Sequence, residues 1–104
     1  MFDISRGMPF LRYSGTDQGV QFFPLDKDVV TIGRSRECDV SFNEDINISR
    51  RHCQVRHLEG SYVLEDLKSK NGTYVNGAPV QQWKLSDGDL ISIGDQKLLY
   101  KLEK

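Results

Sequence analysis

The sequence predicts an all-β protein, two antiparallel sheets packed face to face, and three observations predict it. Apolar residues nowhere recur at spacings of three and four over a dozen positions, as an amphipathic helix would need. Short alternating runs appear instead, broken by Gly, Asp and Asn about every eight to twelve residues. Asn76-Gly77, set between β-prone residues, favours a type I′ hairpin turn, which needs positive φ twice. Roughly ten such runs in 104 residues leave a sandwich as the way to bury one face of each.

Taken in order, Pro9 to Tyr13 reads as a first strand, ended by the turn Ser14 to Asp17. Val20 to Phe23 is a second, with Pro24 at its end, where a missing N–H costs least. Val29 to Ile32 follows, Val30 and Ile32 sharing one face. A short edge strand is expected over Cys38 to Phe42. His52 to Leu58 alternates with Cys53 and Val55 inward, and Glu59-Gly60 turns the chain into Tyr62 to Glu65. That central hairpin would bring Ser49 and Asn71 to the same end. Thr73 to Val75 and Ala78 to Val80 flank Asn76-Gly77. Leu85 to Asp89 is another turn, then Leu90 to Ile93, a Gly94-Asp95 turn, and Lys97 to Leu102 with Leu98, Tyr100 and Leu102 inward.

A chain of this length serves a single core, so one domain is expected over 1–104, and its five Phe, four Tyr and one Trp provide large core pieces. A net charge of −1 gives no global field toward nucleic acid or an anionic membrane, so any anion site must be local. Met1 to Leu11 lacks the basic start and long apolar core of a signal peptide, and no window approaches a membrane span. The expectation is a cytoplasmic, monomeric domain without cofactor. Cys38 and Cys53 lack C-x-x-C spacing and are expected unpaired, one thiol in a loop and one buried. His52, His57 and the two cysteines show no metal-ligand spacing.

The polar groups able to grip an oxyanion concentrate in three segments: Gly33-Arg34-Ser35-Arg36, Ser49-Arg50-Arg51-His52 and Ser69-Lys70-Asn71-Gly72. The planar fork of Arg34 matches two phosphate oxygens, and Gly33 would let backbone approach closely or take positive φ. Ser49 offers a hydroxyl donor, while Arg50, Arg51, Lys68 and Lys70 add positive charge that Glu37, Asp39, Glu44 and Asp45 partly offset. Ser49 and His52 could be read as nucleophile and base, but no third group orients the imidazole. His52 is better read as a brace between loops. Asn71 could hold a peptide backbone through its carboxamide, whereas Asn76 belongs to its hairpin turn.

With these loops laid out, the chain resembles the forkhead-associated (FHA) domain family. The matching text is Ile32-Gly33-Arg34-Ser35, Ser49-Arg50-Arg51-His52, Leu64 through Thr73 with Val75-Asn76-Gly77, and Leu85 to Asp89 before Ile91-Ser92-Ile93-Gly94, within about residues 10–102. The resemblance implies an FHA-like sandwich of about eleven strands whose end loops bind phosphothreonine peptides and recruit kinase-phosphorylated partners. It implies Arg34, Ser49 and Arg50 as phosphate ligands and Asn71 as holder of the peptide main chain. Ser35, Arg36, Ser69 and Lys70 would be secondary peptide contacts, Lys70 standing where many members carry Thr. Gly33, His52, Gly72, Asn76 and Gly77 would shape the loops. The alternative reading is a phosphate-independent interaction domain of the same fold, part of a larger regulator.

Overall fold

Among the described residues eleven strands form two open sheets, and no helix joins them. The computed structural model describes residues 8–16 and 19–102. Residues 1–7 and 103–104 of the expected domain, and Asp17 of the first expected turn, lie outside the described residues. The strands are β1 (Pro9–Thr16), β2 (Gly19–Pro24), β3 (Val29–Gly33), β4 (Val40–Ser41), β5 (Cys53–Leu58) and β6 (Ser61–Asp66). They continue as β7 (Thr73–Val75), β8 (Ala78–Pro79), β9 (Gln82–Lys84), β10 (Leu90–Ile93) and β11 (Gln96–Leu102).

One sheet runs β2-β1-β11-β10-β7-β8 and the other β4-β3-β5-β6-β9. All pairings are antiparallel except β3 with β4, which are parallel. The expected edge strand over Cys38 to Phe42 shrinks to Val40–Ser41, because Cys38 N–H is drawn into a turn by donating to Ser35 O. The β9 strand was not anticipated. Its residues are all exposed, so it carries no alternation to read.

The period-2 faces meet between the sheets. Val30, Ile32, Cys53, Val55 and Leu64 come from one sheet, and Leu11, Val75, Ile91, Ile93, Leu98 and Tyr100 from the other, all buried. Asn76 (φ 51°) and Gly77 (φ 87°) both take the left-handed region, as the type I′ turn requires. Asn76 Nδ2 donates to Asp89 Oδ1 and its Oδ1 accepts Leu90 N–H, which ties the β7–β8 turn to the start of β10. Leu102 lies opposite Pro9 in the β1–β11 pair, and Ile93 lies opposite Gln96 across the Gly94-Asp95 turn. The two ends of the sandwich are thereby distinct: strand β11 begins at one and finishes at the other.

Candidate functional site

Segments 34–39, 42–52 and 67–72 emerge at the end where β3 stops and β5 and β7 begin. The backbone brings the first two together. Arg34 N–H donates to Ser49 O (3.0 Å), Ser35 N–H to Arg50 O (3.1 Å) and His52 N–H to Ile32 O (2.9 Å). A Cβ on Gly33 would sit 2.1 Å from Arg50 O, so the position requires a residue without side chain. Of the two uses open to this glycine, the structure takes close approach; its φ is not among the positive ones.

Polar side chains then join the third loop to the other two. Ser49 Oγ accepts Lys70 N–H at 3.0 Å, leaving the hydroxyl proton free to point to an incoming acceptor. Asn71 Nδ2 donates to Asn47 O at 2.9 Å. His52, fully buried, spans two loops: Nδ1 accepts Ser49 N–H (3.1 Å) and Nε2 lies 2.8 Å from Gly72 O. Because Nδ1 accepts, the ring proton belongs on Nε2, donated to that carbonyl. Both ring nitrogens are spent on backbone, so neither takes the Ser49 hydroxyl proton. The brace expected of His52 is what the geometry contains, and Ser49 and Asn71 do share one end.

Arg34 is positioned by one bond, Nε to Ile48 O at 3.0 Å. Its terminal nitrogens have no hydrogen-bond partner among the described residues. The ion pairs among those residues are Lys27–Asp39, Arg56–Glu65 and Lys101–Asp87. None involves Arg34, Arg36, Arg50, Arg51, Lys68 or Lys70. Asp39 and Asp45, expected to offset these cations in part, make no ion pair with them among the described residues. Asp39 is occupied by Lys27 and by the Thr31 amide and hydroxyl, and Asp45 by the amides of Asn47 and Asp95 and by Gln96.

Ser35 Oγ accepts Glu37 N–H and so closes its own turn, while Arg36 and Lys70 are exposed. Gly72 has positive φ (89°) and its N–H donates to Ser69 Oγ. Ser69 is therefore a turn-former first. Its hydroxyl donates to Asp66 Oδ1 (2.5 Å), as does Thr73 Oγ1 (2.6 Å), and Ser69 N–H donates to Asp66 Oδ2. Asp66 organises the whole turn, a role the sequence reading missed, although an Asp three residues before a Ser is a recognisable side-chain capping signal. The Asn47 carbonyl was also missed, and a backbone acceptor leaves no trace in residue type. Cys38 and Cys53 are free thiols. The expected loop thiol is itself buried, with Cys38 Sγ donating to Arg50 O at 3.3 Å.

Asp45 and Asp66 give the loops a pH dependence. Burial raises both carboxyl pKa values, but the amides of Asp95 and Asn47 for Asp45, and the Ser69 and Thr73 hydroxyls for Asp66, outweigh it and hold both below the ordinary 3.8. Lowered folded values mean the unfolded chain takes up protons first, so the stabilisation is present above 3.8 and is lost as pH falls through the folded values. The melting temperature should hold from neutrality to about pH 5 and drop steeply below about pH 4. The Asp66→Asn protein should start lower at neutral pH and show a shallower acid slope. A wild-type melting temperature unchanged at pH 3 would contradict this.

An open all-β sandwich whose end loops are cross-braced around an arginine and a serine is a loop-based binding domain. The chain belongs to the FHA domain family: the family model, described as FHA domain, matches residues 30–94. The oxoglutarate dehydrogenase inhibitor of Corynebacterium diphtheriae is 41% identical over 86 residues, covering 83% of this chain and 59% of that protein. The glycogen accumulation regulator GarA of Mycolicibacterium smegmatis is 37% identical over 83% of this chain and 53% of its own length. The chain thus spans little more than half of these relatives. Among solved structures, one from an analysis of phosphothreonine-dependent FHA domain interactions superposes with a TM-score of 0.84 at 33% identity, covering 93% of this chain and 98% of that one. Mycobacterium tuberculosis EmbR in complex with a low-affinity phosphopeptide gives 0.84 at 27% identity, covering 92% and 24%. No helix among the described residues is long and apolar enough to cross a membrane.

Proposed function

We propose that this domain binds phosphothreonine-containing segments of partner proteins and so recruits Ser/Thr-kinase substrates, without catalysis, as a cytoplasmic signalling module. The observation that carries the reading is Arg34, held by Nε against Ile48 O with its terminal nitrogens unpaired among the described residues, in the loop bonded to Ser49. In this reading Arg34 and Ser49 grip the phosphate and Arg50 adds a further cation. Asn71 holds the peptide main chain, with Lys70, Ser35, Arg36 and Ser69 at the margin. The phosphothreonine-dependent interactions and phosphopeptide complex of the similar structures support it, and the likeness to an inhibitor and a regulator supports a regulatory context.

A few charge-assisted hydrogen bonds of ~1.5–3 kcal/mol each, less the ordering losses of association, correspond to a dissociation constant on the order of micromolar. The test is titration with a degenerate phosphothreonine peptide library beside its unphosphorylated twin. Binding should require the phosphate and weaken roughly tenfold in Ser49→Ala. Equal binding of both libraries would instead favour the phosphate-independent interaction domain.

A further inference from the structure

An open pocket of about 480 Å³ adjoins the loop end, walled by Tyr13, Phe23 and Phe42 and rimmed by Glu44, Ile46 and Asp95. Its size falls in the range of roughly 300–1,000 Å³ typical of ligand sites. The walls are braced from within: Tyr13 and Phe42 pack edge to face at 5.0 Å, and the Tyr13 hydroxyl donates to Gln96, whose amide donates to Asp45. Asp45 is thereby consumed by the frame. Glu44 and Asp95 are not: both are exposed, and no Lys or Arg among the described residues pairs with either.

The pocket is continuous with the loop site. Asn47, which lines it, accepts Asn71 Nδ2 through its carbonyl and donates from its own Nδ2 to Asp95 Oδ2 at 3.3 Å. A smaller hollow of about 220 Å³ between Asn71 and Asp95 bridges the two. A peptide held at Asn71 therefore passes from a cluster of cations onto a surface whose unpaired charges are carboxylates. Aromatic side chains line the same pocket as those carboxylates, and such rings suit an alkyl stem or a cation.

We infer that this pocket selects a lysine or arginine in the partner's chain, a few residues from the phosphothreonine, with Glu44 and Asp95 receiving the cation and Tyr13 and Phe42 receiving its stem. The inference rests on the phosphothreonine reading above. It makes the domain a reader of a two-charge pattern, phosphate at one end and a cation at the other, and adds Glu44 and Asp95 as specificity-determining residues. Ile46, 88% exposed at the rim, has no packing role of its own and is placed to cover the alkyl stem.

The experiment is fluorescence anisotropy with phosphothreonine peptides in which each flanking position in turn carries Lys, Ala or Glu. The wild-type chain is compared with a Glu44→Gln, Asp95→Asn double variant. At one position Lys should bind the wild type roughly fivefold more tightly than Ala, the scale of two exposed ion pairs, and Glu more weakly still. In the double variant that preference should vanish while the Ala peptide binds as before and still requires its phosphate. A flat profile at every position, or a lysine preference that survives in the double variant, would overturn the inference and leave the phosphothreonine reading standing. Failure of every phosphopeptide to bind would overturn both.

Discussion

Replacing Arg34 by alanine should weaken phosphopeptide binding by about a hundredfold or more while the domain stays folded. A guanidinium meeting two phosphate oxygens makes two charge-assisted hydrogen bonds, each ~1.5–3 kcal/mol, and every ~1.4 kcal/mol is tenfold in affinity. The fold should tolerate the loss because the side chain is only half-buried and, among the described residues, makes a single bond, to Ile48 O. Arg34→Lys should recover only part of the affinity. It keeps the charge but loses both the fork and the Nε anchor that sets its direction. Calorimetric titration with one phosphothreonine peptide, beside a thermal melt of each variant, tests this. Wild-type affinity in Arg34→Ala would remove the residue on which the functional reading depends.

The second large effect should come from one methyl group. In Gly33→Ala the new Cβ would lie 2.1 Å from Arg50 O and 2.9 Å from its carbonyl carbon, backbone atoms that cannot rotate aside. The 49–51 segment must retreat, which breaks or stretches the Arg34–Ser49 and Ser35–Arg50 backbone bonds. Overpacking of ~1–3 kcal/mol plus about 1 kcal/mol for each of the two weakened bonds gives a destabilisation of roughly 3–5 kcal/mol. For a domain of this size that lowers the melting temperature by on the order of 10 °C or more. Phosphopeptide binding should fall as well, since Ser49 moves with its carbonyl. Gly77→Ala is the control: nothing lies within 4 Å of its Cβ, so only left-handed backbone strain of about 1 kcal/mol applies. A melting temperature no lower in Gly33→Ala than in Gly77→Ala would show that the close approach is not the constraint.

The alternation of Val30, Ile32, Cys53 and Val55 was legible because burial on one face imposes a period of two on any strand. The Asn76-Gly77 turn was legible because few residue pairs accept its backbone. The β9 strand was not, since Gln82, Trp83 and Lys84 are exposed at a sheet edge and face no such constraint. The gathering of Ser49 and Asn71 at one end followed from the central hairpin. What holds them there did not, because the Asn47 carbonyl and the Lys70 amide act through the main chain and any residue could supply them. Composition counts Asp39 and Asp45 among the charges that offset the loop cations, but it does not reveal that Asp39 bonds Lys27 and Thr31 or that Asp45 reaches Asp95 and Gln96, about fifty residues on. Which atom of a polar residue is already spoken for is a tertiary fact.

Pro9 and Leu102 sit side by side at the end of the sandwich away from the binding loops. The first residue of β1 and the last of β11 therefore share a single pole, with the loops at the other. The arrangement makes the domain a plug with its prongs and its cord at opposite ends. A tether attached at either strand end therefore starts from the pole opposite the recognition loops. Two such domains on one scaffold could engage separate phosphorylated sites, and the length of the tether would then set their combined avidity.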